Sequence, residues 1–535
     1  MIRLRMLGVL AAVLVLSGCG SMERREPVED FVQMDADVSA TVLFFADPQI
    51  HNVQGGSVKQ TMGIADWVVP VAQRHPEMNL LAPYALTDMI RSGAGQRVAH
   101  PTEFMVMLGD ATNAGCTGEF KRFTDAVADA KSGRVLLMAH GNHDSFLMGT
   151  LNYWQEKWRE VDVSAFTGEL VPVDHSWWTP ATAAYGTGWR SLCHEAGDAA
   201  SVPIHKIQWM AKYMQSLSAR DVGLSVVHQR AEGEYLYFKG EVAPGTLLSR
   251  LGYALDGAWI RPKATQRGLV ETYNSFLVQA INVGPSYRLV LVDTSACADL
   301  AASRLKGLIR PYAQNAGLQG CMGKRQLESI RKLVDQGRAH GRAFVFAGHF
   351  PLEDIAEGDR REFIALMENA SGPSWHYISA HTHAPKSVLK TAGGGTEINL
   401  GSTTDWPMRA YQVQFGKAIT APAAIDALGH SYRGSERFSQ GAELCRHVFA
   451  AEALAAWNPA MGDTYRSPGN AVSYASCEKS ISIGSSDYPE RLTRAMARIK
   501  ERMADDAFRK QMLSIMAAAS QDESSTFALI RPRIR

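Results

Sequence analysis

The sequence predicts an α/β fold built on sheets whose strands end in polar, metal-binding side chains. Three observations indicate this fold: short apolar runs recur along the chain, helix-like segments separate several of them, and Asp, Asn or His directly follows five of the runs. Uninterrupted apolar runs are typical of strands that are buried on both faces. Alternating strands and helices indicate a sheet whose ligands collect at the carboxyl ends of its strands.

Each of the five strands is followed at once by a polar motif. Apolar residues at helical spacing predict helices at Glu119–Ala130 and Lys324–Val334. The glycines before Asp110, Asn142 and His349 are expected to let the backbone turn sharply there. In chain order, the strands and motifs are Thr41–Ala46 with Asp47-Pro48-Gln49, Phe104–Leu108 with Gly109-Asp110 and Asn113, Val135–Met138 with Gly141-Asn142-His143-Asp144, Ala343–Ala347 with Gly348-His349, and Trp375–Ser379 with His381-Thr382-His383.

Composition and charge exclude several classes of protein. Of the 535 residues, 46% are hydrophobic and 20% are charged, so wholesale disorder is excluded. Lys and Arg number 55 against 54 Asp and Glu, and a protein that binds mainly nucleic acid would show a basic excess. No apolar stretch reaches the length of about 18 residues that a membrane span needs, which excludes a polytopic membrane protein.

The N-terminus has the pattern of an export signal. Arg3 and Arg5 precede the apolar run Leu7–Leu16, which is too short to span a bilayer. The run leads into Ser17-Gly18-Cys19 and resembles a bacterial lipoprotein signal, in which Cys19 becomes the lipidated first residue of the mature protein. An ordinary secretory signal and a retained signal anchor are the alternatives, and both would still export the chain. Gly20 in place of Asp implies the outer membrane as the destination.

The remaining cysteines agree with export. If Cys19 carries lipid, six of the seven cysteines remain, and an even number in an oxidising compartment suggests disulfides. Nearness in sequence favours the pairs Cys297 with Cys321 and Cys445 with Cys477. Buried free thiols are the alternative.

The polar motifs together offer the ligands of a dinuclear metal site. Mixed oxygen and nitrogen donors suit iron, manganese or zinc better than calcium, which prefers oxygen alone. A carboxylate can bridge two ions about 3.5–4 Å apart, the separation used for phosphoryl hydrolysis. Two such ions would hold a shared water, lower its pKa toward about 7, and supply a bridging hydroxide that attacks phosphorus. Each motif alone is a weak indication, and the ordered series carries the prediction.

The ordered series D-x-Q, GD-x-x-N, GNHD, GH and H-x-H resembles the calcineurin-like metallophosphoesterase superfamily over roughly residues 40–413, apart from long insertions. The resemblance implies an αββα sandwich: two packed mixed sheets flanked by helices, with two metal ions above the strand ends. It implies that His143, with Asp144 beside it, protonates the leaving oxygen or stabilises charge on phosphate. The ligands that it implies are Asp47, Gln49 and His383 for the first metal, Asp110 as the bridge, and Asn142, His349 and His381 for the second.

The first motif departs from the D-x-H that is usual in the superfamily. Gln49 can bind a metal through its carbonyl oxygen but is a poorer donor than imidazole, which predicts a weaker or harder first site that favours manganese or magnesium. His51 is the alternative ligand. A scaffold with weakened catalysis, acting as a surface binding lipoprotein, is therefore the alternative function. A metal-dependent nuclease is a third reading, which the neutral net charge disfavours.

The chain divides into a signal peptide (1–18), a tether (19–39), a metallophosphoesterase domain (40–415) and a mainly helical C-terminal region (416–535). A Trp-rich insertion at about 145–285 leaves the domain just after the third motif, where a cap or a substrate wall would form. Pro489–Ala519 is predicted to be helical. Asp293 and the turn Gly401-Ser402-Thr403 are predicted to serve the backbone rather than the metals.

The predicted function is an exported, lipid-anchored hydrolase of phosphoric esters, either a phosphomonoesterase or a phosphodiesterase. Its expected cofactors are two divalent metal ions, which would be manganese, iron or zinc. Its expected partners are a phosphate-ester substrate and the membrane that holds the lipid anchor, without nucleic acid.

Overall fold

A computed structural model describes the following parts of the chain: 23–25, 40–51, 72–73, 76–95, 102–113, 115–131, 133–145, 204, 206–218, 224–229, 235–240, 247, 250–256, 276–296, 319–383, 386–390, 394–405, 408–415, 419–426, 501–509, 513 and 528–529. Within these ranges, no helix combines the length and the apolar character that crossing a bilayer requires.

The described elements are five helices, three short 3₁₀ turns and seventeen strands. The helices are α1 (Pro76–Gly95), α2 (Thr117–Ala130), α3 (Lys206–Ser218), α4 (Lys324–Ala339) and α5 (Glu357–Ser371), and the turns are Asn142–Asp144, Leu352–Asp354 and Gly372–Ser374. The strands are β1 (Glu23–Arg25), β2 (Ala40–Phe45), β3 (Ala72–Gln73), β4 (Thr102–Leu108), β5 (Leu136–Ala139), β6 (Leu224–Gln229), β7 (Tyr235–Gly240), β8 (Leu251–Asp256), β9 (Phe276–Val283), β10 (Tyr287–Leu291), β11 (Ala343–Ala347), β12 (His376–Ser379), β13 (Lys386–Lys390), β14 (Thr396–Asn399), β15 (Arg409–Phe415), β16 (Ile419–Asp426) and β17 (Ala528–Leu529).

Two mixed sheets contain all five strands that precede the polar motifs. The larger sheet has the order β1-β8-β9-β10-β11-β12-β14-β13, and the smaller one has the order β16-β15-β2-β4-β5. In the smaller sheet β2, β4 and β5 are parallel. In the larger sheet β10, β11, β12 and β14 are parallel. Parallel strands bring their carboxyl ends to one edge, so the motifs collect at one edge of each sheet.

The two sheets pack face to face with helices outside them. Leu289 and Leu291 of β10 share a buried apolar cluster with β2 and β4. The alternate residues Val290 and Val292 face the other way and pack with α4 and α5. Helix α1 covers the smaller sheet through contacts with β2, β15 and β16, and α2 packs against α1. The layers are therefore helix, sheet, sheet and helix, which confirms the predicted αββα sandwich.

Strands extend beyond the predicted boundaries of the sandwich. Strands β8 and β9 belong to the larger sheet although they lie within the predicted insertion, and β16 extends the smaller sheet into the predicted C-terminal region. Strand β1 pairs with β8 although it lies within the predicted tether. The pattern of an apolar run followed by a polar motif did not locate these strands, although β8 and β16 end in Asp256 and Asp426.

Helix α1 lies in the connection between the first two motifs, where the sequence predicted no element. It contains Pro83, which cannot donate a backbone hydrogen bond within the helix. The hydroxyl of Thr87 donates to the carbonyl of Pro83 at 2.9 Å, one turn later. A buried apolar stripe holds the helix to the core despite the proline, and its members are Leu81, Ala82, Ala85, Leu86, Met89 and Ile90.

The described part of the C-terminal region packs on the core. Residues 501–502 and 506–509 are helical, and the remainder of the predicted Pro489–Ala519 helix, apart from a turn at 503–505 and residue 513, lies outside the described residues. Met503, Phe508 and Leu513 are buried in the main apolar cluster. Arg509 forms an ion pair with Asp88 of α1 at 3.4 Å.

Cys116 and Cys321 each take part in a disulfide bond, which confirms the expectation of at least one disulfide. Cys297, Cys445 and Cys477 lie outside the described residues, so both proposed pairings stay predictions. The signal peptide with Cys19, most of the tether and most of the Trp-rich segment also lie outside them.

Candidate metal centre

The seven predicted metal ligands meet at the carboxyl ends of strands from both sheets. Five loops supply them, one after each of β2, β4, β5, β11 and β12. Six of the seven side chains are at least 90% buried, and His381 is part-buried. The structure therefore brings together residues that are more than three hundred positions apart in the chain.

One half of the centre is formed by Asn142, His349, His381 and Asp110. The Nε2 atom of His349 is 2.8 Å from Oδ1 of Asn142 and 3.4 Å from Oδ2 of Asp110. The Nδ1 atom of His381 is 3.1 Å from Oδ1 of Asn142 and 3.3 Å from Nε2 of His349. Four donor atoms from both sheets thus face one another.

The other half is formed by Asp47, Asp110 and His383. The Nε2 atom of His383 is 3.3 Å from Oδ1 of Asp47. Ligand atoms of these three residues lie within 4.8 Å of one another, as do those of Asp110, His349 and His381. Asp110 is common to both sets, which is the position that a bridging carboxylate occupies.

The spacing of these atoms fits metal ions. Metal–ligand bonds of about 2.1 Å place adjacent ligand atoms about 3.0–3.4 Å apart around one ion. The distances between facing donor atoms, 2.8 to 3.4 Å, are close to that range. Oδ1 of Asp47 is buried, and no donor in the described residues is aligned to it for a hydrogen bond. The donor set therefore fits two divalent cations that share Asp110.

Backbone strain is concentrated in the same loops. Six described residues other than glycine have a positive φ, and five of them are predicted ligands: Asp47, Gln49, Asp110, His381 and His383. Such conformations cost about 1–3 kcal/mol each and persist where the surrounding structure imposes them, often at functional sites. Five in one small centre indicate that these loops are shaped for the side chains that they carry.

The glycines of the motifs have two different roles. Gly109 has φ +90°, so it makes the predicted turn. Gly141 has φ −101°, and Gly348 is not among the positive-φ residues, so neither makes a left-handed turn. A Cβ atom on Gly141 would lie 2.1 Å from Oδ1 of Asp110, and one on Gly348 would lie 2.8 Å from the hydroxyl of Tyr377. At these two positions glycine is required by close packing rather than by a left-handed backbone.

The two carboxylates shift the pKa values of the histidines around them. Burial acts to lower the pKa of His349, but the charges of Asp110 and Asp47 outweigh it and raise the pKa to about 9. Burial is likewise outweighed at His383, where Asp47 and Asp405 raise the pKa to about 9. Burial and the charge on His349 hold the pKa of His381 well below its usual range. The centre therefore favours positive charge beside the carboxylates, from protons or from metal ions.

These shifts predict how the metal-free protein responds to pH. Because His349 and His383 have folded-state pKa values of about 9, above the ordinary 6.5, the folded protein binds more protons than the unfolded one between these values. The free energy of unfolding should therefore be highest near the lower pH and fall as the pH rises to about 9. Metal ions need the unprotonated nitrogens, so Mn²⁺ affinity should rise over the same interval. Denaturant unfolding and Mn²⁺ titration at pH values near 6.5 and near 9 measure the two effects. A free energy of unfolding of the metal-free protein that rises with pH would contradict the prediction.

Hydrogen bonds behind the ligands set their orientation. The Nδ1 atom of His349 donates to the carbonyl of Leu108 at 2.8 Å, which leaves Nε2 facing the centre. The Nδ1 atom of His383 is 2.5 Å from Oδ2 of Asp405, which leaves its Nε2 facing Asp47. A carboxylate behind a metal-binding histidine fixes the ring and raises its basicity. Asp405 was not predicted from the sequence, because it lies beyond the turn Gly401-Ser402-Thr403 rather than directly after β14, which ends at Asn399.

Asp405→Ala is expected to weaken metal binding at the His383 half by about 10–100-fold, the usual effect of removing such a partner. Asp405→Asn keeps an acceptor oxygen without the charge, so its affinity should lie between those of the alanine variant and the natural protein. Mn²⁺ titration of metal-free protein measures both. Equal affinities for all three proteins would show that Asp405 does not support His383.

His143 faces the centre, whereas Asp144 faces the backbone. The Nδ1 atom of His143 donates to the carbonyl of Asn113 at 2.6 Å, and its Nε2 lies 3.9 Å from Oδ2 of Asp110. The carboxylate of Asp144 accepts hydrogen bonds from the backbone N–H groups of Asp110, Ala111, Thr112 and Gly141, at 2.7 to 3.3 Å. Asp144 thus joins the second motif to the third, and its position favours an indirect role in the reaction.

Gln49 lies inside the centre, and His51 is turned away from it. The amide nitrogen of Gln49 is 3.0 Å from Oδ2 of Asp110, so in this orientation Gln49 donates to the bridging carboxylate. Rotating the amide by 180° would present its oxygen there instead. His51 pairs with Glu119 of α2 at 2.8 Å, which does not favour it as a substitute ligand.

The turn 401–405 supports the first motif from behind. The hydroxyl of Ser402 donates to the carbonyl of Asp47 at 2.8 Å, and that of Thr404 donates to the carbonyl of Pro48 at 2.7 Å. This is the backbone role that the sequence predicted for the turn. Its last residue, Asp405, adds the contact to His383.

No protein-family model and no curated protein sequence matches this chain. Among solved structures, the chain is similar to a dimetal phosphatase from Danio rerio, with 10% identity and a TM-score of 0.33 over 72% of this chain and 99% of that one. It is also similar to the sulfate thiohydrolase SoxB from Thermus thermophilus in complex with glycerol, with 14% identity and a TM-score of 0.29 over 76% of this chain. The chain spans 60% of the length of that SoxB chain. The layered fold and the clustered ligands of this chain agree with the αββα sandwich and the ligand set that the resemblance of its motifs implies.

Proposed function

We propose that this protein is an exported, lipid-anchored hydrolase of phosphoric esters that uses two divalent cations. The observation that carries the proposal is the shared position of Asp110, which belongs to both groups of facing metal ligands. The cations, when bound, would polarise a phosphoryl oxygen and lower the pKa of an attacking water. The N-terminal sequence has the pattern of an export signal that ends at Cys19, which supports the location, and manganese, iron and zinc suit the donors.

Different residues of the chain would have different roles in the reaction. Asp47, Asp110 and His383 would hold one cation, with Gln49 beside them, and Asn142, His349 and His381 would hold the other together with Asp110. His143 is 7% exposed and would present Nε2 to the phosphate or to the leaving oxygen. Burial lowers the pKa of His143. A bound phosphate would add negative charge beside Nε2, which favours the protonated form that can donate a proton to the leaving oxygen.

A panel of substrates tests the proposal. The mature protein, reconstituted with Mn²⁺, should hydrolyse at least one phosphate monoester, diester or pyrophosphate, and chelation of the metal should abolish the activity. If the protein contains two ions per chain and cleaves none of these esters, the hydrolase proposal is refuted.

The binding scaffold remains the second candidate because of Gln49. An amide that donates to Asp110 competes with a cation for the same oxygen, which favours a weaker first site. Metal analysis separates the candidates: the enzyme should hold about two ions per chain. A chain that holds one ion or none, together with no hydrolysis, supports the scaffold.

A further inference from the structure

A buried hydrogen-bonded cluster lies directly behind the third motif, centred on His140. This residue follows β5 and precedes the turn that carries Asn142 and His143. Its Nδ1 atom is 2.7 Å from the hydroxyl of Ser295, and its Nε2 atom is 2.7 Å from the hydroxyl of Ser145. All three side chains are at most 8% exposed. The predicted metal ligands do not include any member of this cluster.

The direction of these hydrogen bonds follows from the acceptors around Ser295. Its hydroxyl lies 3.1 Å from the carbonyl of His140 and 3.1 Å from Oδ1 of Asp293, and both can only accept. The proton of Ser295 therefore goes to one of them, and the hydroxyl oxygen accepts from Nδ1 of His140. The neutral ring then accepts at Nε2 from the hydroxyl of Ser145. One ring thus joins the two serines.

The two serines belong to different sheets. Ser145 immediately follows the turn Asn142–Asp144, which leads from β5 in the smaller sheet. Ser295 follows β10, which is paired with β11 in the larger sheet. His349 and His381 follow β11 and β12 of that larger sheet. The His140 bridge therefore connects the turn that carries Asn142 to the sheet that carries the facing histidines.

Helix α3 supports the cluster from the side of the predicted insertion. The Nζ atom of Lys206 is 2.8 Å from Oδ2 of Asp293 and 3.2 Å from the carbonyl of Ser295. The ring of Trp209 meets the ring of His140 edge-on, with centroids 4.8 Å apart. Lys206 and Asp293 are both buried, so each would leave an uncompensated charge if the other were removed.

We propose that His140 is a positioning residue: it fixes the turn that carries Asn142 against the sheet that carries the facing histidine ligands. Oδ1 of Asn142 lies 2.8 Å from His349 and 3.1 Å from His381, and such a site tolerates displacements of only about 0.5 Å. The inference rests on the proposed metal site. It extends that site to Ser145 and Ser295, and to the insertion helix that encloses them.

His140→Phe tests the role of His140, because it keeps an aromatic ring against Trp209 and removes both hydrogen-bonding atoms. We expect Mn²⁺ affinity at the Asn142 half to fall by about 10–100-fold, as for other partners behind metal ligands, while affinity at the Asp47 half is retained. Mn²⁺ titration of metal-free protein, followed by electron paramagnetic resonance, separates the two halves through the loss of the spin-coupled pair.

Tyr213→Phe is the matched control. Tyr213 lies on α3, the helix that supports the cluster. Its hydroxyl accepts a hydrogen bond from the backbone N–H of Met138 on β5 at 3.0 Å, and it has no hydrogen bond to Ser145 or Ser295. Tyr213→Phe should lower the melting temperature about as much as His140→Phe does, and it should retain the Mn²⁺ affinity of both halves of the centre. If His140→Phe behaves in the same way, His140 has only a structural role and the inference is overturned.

Ser145→Ala removes the hydroxyl that is bonded to Nε2 of His140, and it serves if His140→Phe does not fold. It should reproduce the loss of affinity, and the double variant should add little to it, because both changes break one connection. Additive losses, or no loss in Ser145→Ala, would overturn the inference. A natural protein that binds two Mn²⁺ ions but cleaves no ester refutes the proposed function alone, because these affinities still decide the role of His140.

Discussion

Asp110→Asn is expected to abolish dinuclear metal binding and, with it, hydrolysis of phosphate esters. Oδ1 of Asp110 accepts a hydrogen bond from the backbone N–H of His143 at 2.8 Å, and Oδ2 is the oxygen that faces His349 and Gln49. A carboxylate brings negative charge to an oxygen between two cations, whereas the amide of Asn is neutral. Losing one cation removes several kcal/mol of transition-state stabilisation. At 1.36 kcal/mol per tenfold, that corresponds to a rate lowered by about 10³-fold or more. Metal analysis together with initial rates at saturating Mn²⁺ measures both effects.

Asp125→Asn is the matched control for Asp110→Asn. Asp125 lies on α2, is exposed, and forms an exposed ion pair with Lys121 at 2.6 Å. The same chemical change there should leave metal content and rate unaltered, because exposed pairs contribute little. An Asp110→Asn protein that retains two ions and the natural rate would show that this carboxylate is not the bridge.

Gly141→Ala is expected to disable the centre although it adds a single methyl group. The added Cβ atom would lie 2.1 Å from Oδ1 and 2.4 Å from the backbone nitrogen of Asp110, so the bridging residue has to move. The backbone of Gly141 is extended and suits any residue, so the effect is one of space. We expect loss of the metal pair and a lower melting temperature.

The control for Gly141→Ala is Gly358→Ala in α5, where nothing lies within 4 Å of the added atom. That substitution should stabilise the helix by about 0.4–1 kcal/mol and leave metal binding unchanged. Calorimetry and Mn²⁺ titration of both variants test the pair. Wild-type Mn²⁺ affinity in Gly141→Ala would contradict the close packing of the third motif against Asp110.

The strands that carry the polar motifs could be predicted because their signal is local. A buried strand reads as a short apolar run, and a ligand at its carboxyl end must follow within a few residues. Strand β12, for example, runs from His376 to Ser379 and is followed by His381. Strand β9 is buried as well but is not followed by a ligand-type residue, so no second signal separated it from the insertion.

Other parts of the centre depend on contacts between distant segments. Asp405 lies beyond the turn that follows β14, and only the fold shows that it faces His383. His140 had no signal, because its partner Ser295 is 155 residues away in another sheet. The positive φ values of Asp47 and Gln49 also have no sequence pattern, since neighbouring loops impose them.

Crystals of the mature protein soaked with Mn²⁺ and measured at the manganese absorption edge test the central claim most directly. We predict two anomalous peaks about 3.5–4 Å apart, with one carboxylate oxygen of Asp110 or both of its oxygens between them. One peak should lie beside Asp47 and His383, and the other beside Asn142, His349 and His381. In Asp110→Asn crystals, at most one of these peaks should remain. A single peak in the natural protein, or two peaks that do not share Asp110, would contradict the dinuclear centre.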